Sequence, residues 1–228
     1  MEEKKTVDFK KTEFVMKEYI KKNLGKGKVS RVKIEYTPIG EKIIISTNKP
    51  GLIIGRGGER IEELTRVLKM RFKLENPHIE IDEIRIPELD SQIMADEIAL
   101  SLERFGPLKF KVIAYRELQK IIGAGALGAE ISLNGKLPSS RAKSWRFSKG
   151  CLKKVGDSAK VVDVAKARAE TKPGTVGIKV SILSPNVKLT DSININDELI
   201  QKIRENSERI IPEEKPKKQN KKTKKVGK

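Results

Sequence analysis

Residues 53 to 61 read Ile53-Ile54-Gly55-Arg56-Gly57-Gly58-Glu59-Arg60-Ile61, and their types suit them to hold a phosphate. Glycines lack a Cβ, so Gly55, Gly57 and Gly58 let the backbone approach a sugar-phosphate chain closely. A helix that begins after them aims unpaired amides and the positive end of its dipole at the same place. Arg56 and Arg60 can add charge-assisted hydrogen bonds to phosphate oxygens. Glu59, Glu62 and Glu63 follow at once; acid there suits the helix dipole and weakens the attraction for phosphate.

A second run, Gly135 to Lys154, interleaves Lys136, Arg141, Lys143, Arg146, Lys149, Lys153 and Lys154 with serines, Trp145 and Phe147, and contains no acid. Such a face suits contact with phosphates and 2′-hydroxyls, with the two aromatics in the core. Gly123-Ala124-Gly125-Ala126-Leu127-Gly128 matches the dinucleotide fingerprint letter for letter. That motif works only where a strand enters and a helix leaves; here a helix enters and a strand leaves, so it reads as a helix stop and turn. The chain has no phosphate loop of the Walker type.

His78 is the only histidine, which removes most triads and catalytic zinc sites. Cys151 is the only cysteine, so internal disulfides and thiolate clusters are excluded, and its apolar alternation reads as a small buried hydrophobe. Asp191, Asp197 and Glu198 are too scattered for an acid pair or a metal cage. The expectation is a protein that is not an enzyme, with no metal, no cofactor and no small-molecule substrate. No apolar run approaches the roughly 18 residues of a membrane span, and Met1-Glu2-Glu3-Lys4-Lys5 lacks a signal peptide's core, so a cytoplasmic protein is expected.

The elements that must position these groups follow from periodicity. Phe9 to Asn23 has a helical rhythm that stops at Gly25; Val29 to Tyr36 and Lys42 to Thr47 read as strands. A short helical turn, the glycine loop, a helix bearing Ile61, Leu64, Leu68 and Phe72, and a strand of Ile79 to Ile86 complete a first unit. A second unit begins with Asp90 as N-cap of a helix to about Arg104; Gly106-Pro107 then separates it from a helix of about Leu108 to Ile122. Gly128 to Leu137, Ser144 to Lys154, Ala159 to Glu170 and Val176 to Leu183 read as four strands. Ala165, Ala167 and Ala169 alternate with Lys166, Arg168 and Glu170 as a strand would, although alanine favours helix.

In this order the first unit resembles a KH domain of type II, whose glycine loop clamps a few backbone nucleotides of single-stranded nucleic acid. That loop, the run Asn134-Gly135-Lys136-Leu137 through Ser140-Arg141-Ala142-Lys143, and Gly177-Ile178-Lys179-Val180 together resemble the family of small-subunit ribosomal protein S-three, most like its archaeal branch. The resemblance runs to about Pro185. It implies an α+β protein: a KH domain (α-β-β-α-α-β) over 1–88, an α+β domain of two helices and a four-stranded mixed or antiparallel sheet over 89–187, and a C-terminal extension over 188–228. It further implies a place in the head of the small subunit, with ribosomal RNA, messenger RNA and neighbouring head proteins as partners. Carried over by position, Lys109, Lys111 and Arg116 are candidates for the channel by which messenger RNA enters, while Val112 and Tyr115 depart from the basic residues of bacterial members.

The chain's charge agrees with this. Lys and Arg number 49 against 31 Asp and Glu, a formal net charge of +18, which points to a polyanionic partner. From Pro212 onward lysine, glutamate, proline and asparagine dominate, the composition of a disordered tail. A free KH regulator that binds messenger RNA directly is the competing reading.

Overall fold

The computed structural model describes residues 2–38, 40–72, 74, 76–138, 142–187, 189, 200, 201 and 203. The chain divides into two compact units, Met1–Val187 and Lys188–Lys228. The lysine-rich tail, Asp191, Asp197 and Glu198 lie outside the described residues.

The first unit is mixed α+β and contains two separate hydrophobic cores. Helix α1 (Glu2–Leu24) starts earlier than its apolar rhythm indicated, and Gly25, at φ 85°, ends it. Strands β1 (Arg31–Thr37) and β2 (Gly40–Thr47) pair antiparallel, and β3 (His78–Glu83) joins β2 in parallel. Helices α2 (Pro50–Ile54) and α3 (Glu59–Phe72) sit between β2 and β3 in sequence. Met16, Ile20, Ile43, Ile45, Ile53, Leu64 and Leu68 fill the core beneath them. Alternation along β2 explains its sidedness: Ile43 and Ile45 are buried while Ile44 is only partly so.

The second core is built from α4 (Ser91–Phe105), α5 (Phe110–Gly123) and an antiparallel sheet. Its strands β4 (Gly128–Gly135), β5 (Lys143–Gly150), β6 (Asp163–Thr171) and β7 (Gly174–Leu183) lie in the order β5-β4-β7-β6. Ile98, Leu102, Ile121, Ile131, Leu133, Val180 and Ile182 are essentially inaccessible. The alanine-rich segment is a strand: Ala165 and Ala169 lie in the core, and a small side chain there lets α4 approach the sheet. Gly123-Ala124-Gly125 forms a helix stop, with Gly125 at φ 94°, and β4 starts at Gly128, so no dinucleotide loop exists.

Three expectations are corrected. The strand expected to run to Lys154 ends at Gly150, whose φ of 79° breaks the alternation. Cys151 therefore leaves the sheet and is exposed rather than buried, its amide donating to the carbonyl of Leu127 at 3.0 Å. The strand expected from Ala159 begins only at Asp163, because Asp157–Val161 forms a turn of 3-10 helix. Among the described residues no helix is long and apolar enough to cross a membrane.

Asp90 caps α4 as its type and position indicated: one carboxylate oxygen accepts from the amides of Gln92 (2.9 Å) and Ile93 (3.1 Å). The other accepts from the Ser30 hydroxyl, before β1. One side chain thus starts a helix of the second core and holds a loop of the first. Asp90→Ala removes the cap and this link together, an expected loss of about 2 kcal/mol. Urea denaturation checks it; a change below about 0.5 kcal/mol would contradict the assignment.

Asp96 on α4 accepts from the Gly27 amide at 3.0 Å and from the Gln92 side chain at 3.2 Å. Burial raises its pKa above the ordinary 3.8, and those two hydrogen bonds with the nearby Lys21 and Lys26 only partly offset the burial. A raised folded pKa means that the protonated form is favoured on folding. Its contribution is full below 3.8 and lost as pH rises through the folded value. The stability of the native chain minus that of Asp96→Asn should fall as pH rises above 3.8, measured by urea midpoints. A difference that grows with pH overturns the sign.

Candidate nucleic-acid interface

The glycine loop is held open by its own geometry. Helix α2 ends at Gly55 (φ 76°, ψ −172°), whose amide donates to the carbonyl of Gly51 at 3.1 Å. Gly57 (φ 61°) and Gly58 (φ 88°) also take left-handed conformations, and α3 begins directly after them. A Cβ built on Gly57 or Gly58 meets nothing within 4 Å, so no neighbour in the chain requires glycine there. The backbone torsion and free access from outside are what remain to explain them. Arg56 is exposed at the tip.

Arg60, exposed like Arg56, also makes a contact within the chain. Its Nη1 donates to the carbonyl of Leu52 at 2.9 Å, closing the end of α2. Its stem lies under Gly55, where an added Cβ would stand 3.1 Å from the arginine Cβ and Cγ. The arginine braces the loop, which its place in the motif did not reveal. Ile53 is buried in the core and Ile54 is exposed, so one of the two isoleucines anchors the loop.

The acid-free run separates onto two faces of β5. Trp145 and Phe147 face α5: the Phe110 ring lies 5.7 Å from Trp145 and 6.4 Å from Phe147, and Phe147 is buried. The expected core placement of the aromatics holds for Phe147, with Trp145 packed against the core and partly exposed. Lys143 lies over the Trp145 ring at 5.0 Å and Lys111, from α5, at 4.6 Å. Two cations that the sequence assigned to separate groups therefore meet on one indole. Each such contact contributes about 0.5 to 1 kcal/mol at an exposed site and holds the ammonium in place.

Arg146 stands on the other face of β5, where Glu130 of β4 alters the electrostatics. Arg146 Nε lies 3.2 Å from Glu130 Oε1, and Lys154 Nζ lies 2.5 Å from Glu130 Oε2. The run is acid-free in sequence but not in space. The register explains this: Glu130 pairs with Ser148, which sets its side chain diagonal to Arg146. Lys136 and Lys149 are exposed, Lys153 is half-buried, and Arg141 lies outside the described residues.

Along α5, Lys109, Lys111 and Arg116 are exposed, and so are Val112 and Tyr115. Lys109 is the residue just before α5, while Lys111, Val112 and Arg116 lie within it. The exposed surface here is accordingly mixed, with Leu108, in the turn before α5, and Val112 among its most accessible residues. A further set of cations escaped the sequence reading: Lys21, Lys22, Lys26, Arg71, Lys166 and Arg168 line one groove between α1 and β6. The alternation Ala165-Lys166-Ala167-Arg168 was the available signal, since period two turns both cations to one side. Among the described residues no three His, Cys, Asp or Glu come together to hold a metal ion.

Comparison with known proteins gives this surface its context. Residues 15–89 match the KH domain family, and residues 98–182 match the family "Ribosomal protein S3, C-terminal domain". Small ribosomal subunit protein uS3 of Methanocaldococcus jannaschii is 42% identical over 182 residues, covering 79% of this chain and 86% of that protein. The uS3 protein of Methanosphaera stadtmanae is 37% identical over 197 residues, covering 86% and 77% respectively. That of Methanobrevibacter smithii is 38% identical over 179 residues, covering 78% and 71%. With a KH module, an α+β partner domain and this extent of identity, the chain belongs to the uS3 family of small-subunit ribosomal proteins, structural components and not enzymes.

Proposed function

We propose that this chain is a structural constituent of the small ribosomal subunit, placed in its head, where it binds ribosomal RNA and lines the path by which messenger RNA enters. The observation that carries the proposal is the cluster of Lys111 and Lys143 on Trp145, which joins the α5 cations to those of β5 in one positively charged surface. Fixed cations without acidic partners attract phosphates over long range, and their binding releases counterions. Lys136, Arg141, Lys143, Arg146, Lys149, Lys153 and Lys154 are the proposed ribosomal RNA contacts. Arg146 and Lys154 act there only in competition with Glu130.

On this reading Lys109, Lys111 and Arg116 face the entering messenger RNA. Val112 and Tyr115 give that helix a thinner cationic edge than a fully basic one, so its grip on a duplex is weak. The domains fall at 1–88, 89–187 and 188–228, the first two acting as one gripping surface and the extension adding basic charge. Neighbouring head proteins are its protein partners, and its compartment is the cytoplasm. The loop of Gly55, Arg56, Gly57 and Gly58, with Arg60, is a subsidiary RNA contact, because Glu59, Glu62 and Glu63 reduce the local positive potential.

The competing reading, a free KH regulator, depends wholly on that loop. In Arg56→Asp/Gly57→Asp, aspartate at Gly57 meets open space and a left-handed torsion that it tolerates better than most residues. Sedimentation of lysates through sucrose gradients separates the two readings. The native chain and the loop variant should both travel with small subunits, the variant losing no more than about half its occupancy. Native chain found only in light fractions would contradict the proposal, and loss of the variant alone from the heavy fractions would favour the regulator.

A further inference from the structure

The groove between α1 and β6, about 1130 Å³ in volume, is larger than the roughly 300 to 1,000 Å³ of an ordinary small-molecule pocket. It lies outside every residue assigned so far to RNA. Six cations line it, Lys21, Lys22, Lys26, Arg71, Lys166 and Arg168, against the carboxylates of Glu18 and Asp96. Asp96 is buried and bonded to Gly27, and Lys26 is paired with Glu103 at 2.8 Å. Among the described residues Lys21, Lys22 and Lys166 make no ion pair, and Arg168 has only a loose one with Glu170 at 3.7 Å.

Arg71 adds a specific feature. Its guanidinium lies 4.7 Å from the centroid of the Tyr19 ring while remaining exposed, so its plane is set before any ligand arrives. A guanidinium fixed in this way suits a forked contact with phosphate or the face of a base.

The neighbouring sheet face carries an unbalanced charge as well. Lys166 of β6 stands directly opposite Lys179 of β7, both exposed and neither paired among the described residues. Like charges opposed across a sheet destabilise it. The fold gains nothing from this arrangement, whereas a polyanion laid over the face would relieve it. Apart from Val15, Tyr19, Val29, Ala167 and Gly25, the described residues that line the groove are polar or charged, which favours RNA over an acidic protein segment.

We infer that this groove, with the adjoining Lys166–Lys179 face, is a third RNA-backbone site, distinct from the glycine loop and from the β5 and α5 cations. It takes the phosphodiesters of a single strand through Lys21, Lys22, Lys166 and Arg168, with Arg71 available to stack. The inference rests on the reading of the chain as an RNA-binding component.

The test uses the full chain and an oligouridylate of about 20 nucleotides, with polyglutamate as a second probe. The variants are Lys22→Glu/Lys166→Glu in the groove and Lys143→Glu/Lys149→Glu on β5. All four side chains are exposed, and thermal melting monitors the fold. The groove variant should bind oligouridylate about 10- to 100-fold more weakly at 0.1 M salt, with the slope of log K against log salt reduced by about 1.4. Unchanged affinity and slope in that variant, while the β5 variant weakens, would overturn the groove and leave the wider reading standing. Failure of the native chain to bind RNA at all would overturn both. Polyglutamate bound more tightly than RNA, and lost in the groove variant, would assign the groove to an acidic protein segment instead.

Discussion

The carboxylates of α4 and β6 hold the two cores together, and the outward charge of the molecule depends on that. Asp90 engages Ser30, Asp96 engages Gly27, and Glu103 engages Lys26 and the amide of Glu170. Asp163 accepts from the amide and hydroxyl of Ser91, and Arg31 approaches it at 3.7 Å. These acids accept backbone and hydroxyl hydrogens at a partly buried seam, where an unpaired charge would be costly. Their negative charge is thus turned inward. Among the described residues Lys111, Lys143, Lys149, Lys166 and Lys179 are exposed and make no ion pair, so the surplus of +18 is displayed on the exterior.

That arrangement separates two ways of meeting a nucleic acid. The glycine loop offers backbone amides and a torsional fit at one small place, under the influence of three glutamates. The β5 and α5 surface offers distributed charge, with Trp145 fixing Lys111 and Lys143 and Glu130 restraining Arg146 and Lys154. Binding through many phosphates tolerates the loss of any one contact and has little sequence preference. Such behaviour suits a permanent component of a large folded RNA better than a selective reader of short motifs.

Much of the architecture was legible in the sequence because it is local. Asp90 as an N-cap, Gly106-Pro107 between two helices, and the loop from Gly55 to Gly58 are decided by neighbours within a few residues. The strand over Ala165 to Ala169 was legible from its alternation in spite of alanine's helical preference, because burial against α4 outweighs intrinsic propensity. What was not legible depends on pairing between distant segments. Glu130 reaches Arg146 only through the β4 to β5 register, Arg60 braces Leu52 only once the loop closes, and the cations of α1 and β6 meet only when the two cores are docked. Cys151 was misplaced because a single left-handed residue, Gly150, ends the strand before it, a torsion that composition does not announce.

The central claim is that these outward cations are matched to phosphates of folded ribosomal RNA. A cryo-EM map of small subunits from the source organism tests it most directly. The account predicts density for this chain in the head, with RNA phosphates about 3 Å from the ammonium groups of Lys143 and Lys149. A map in which those groups face bulk solvent or protein carboxylates, with RNA nowhere along β5 or the start of α5, would contradict it.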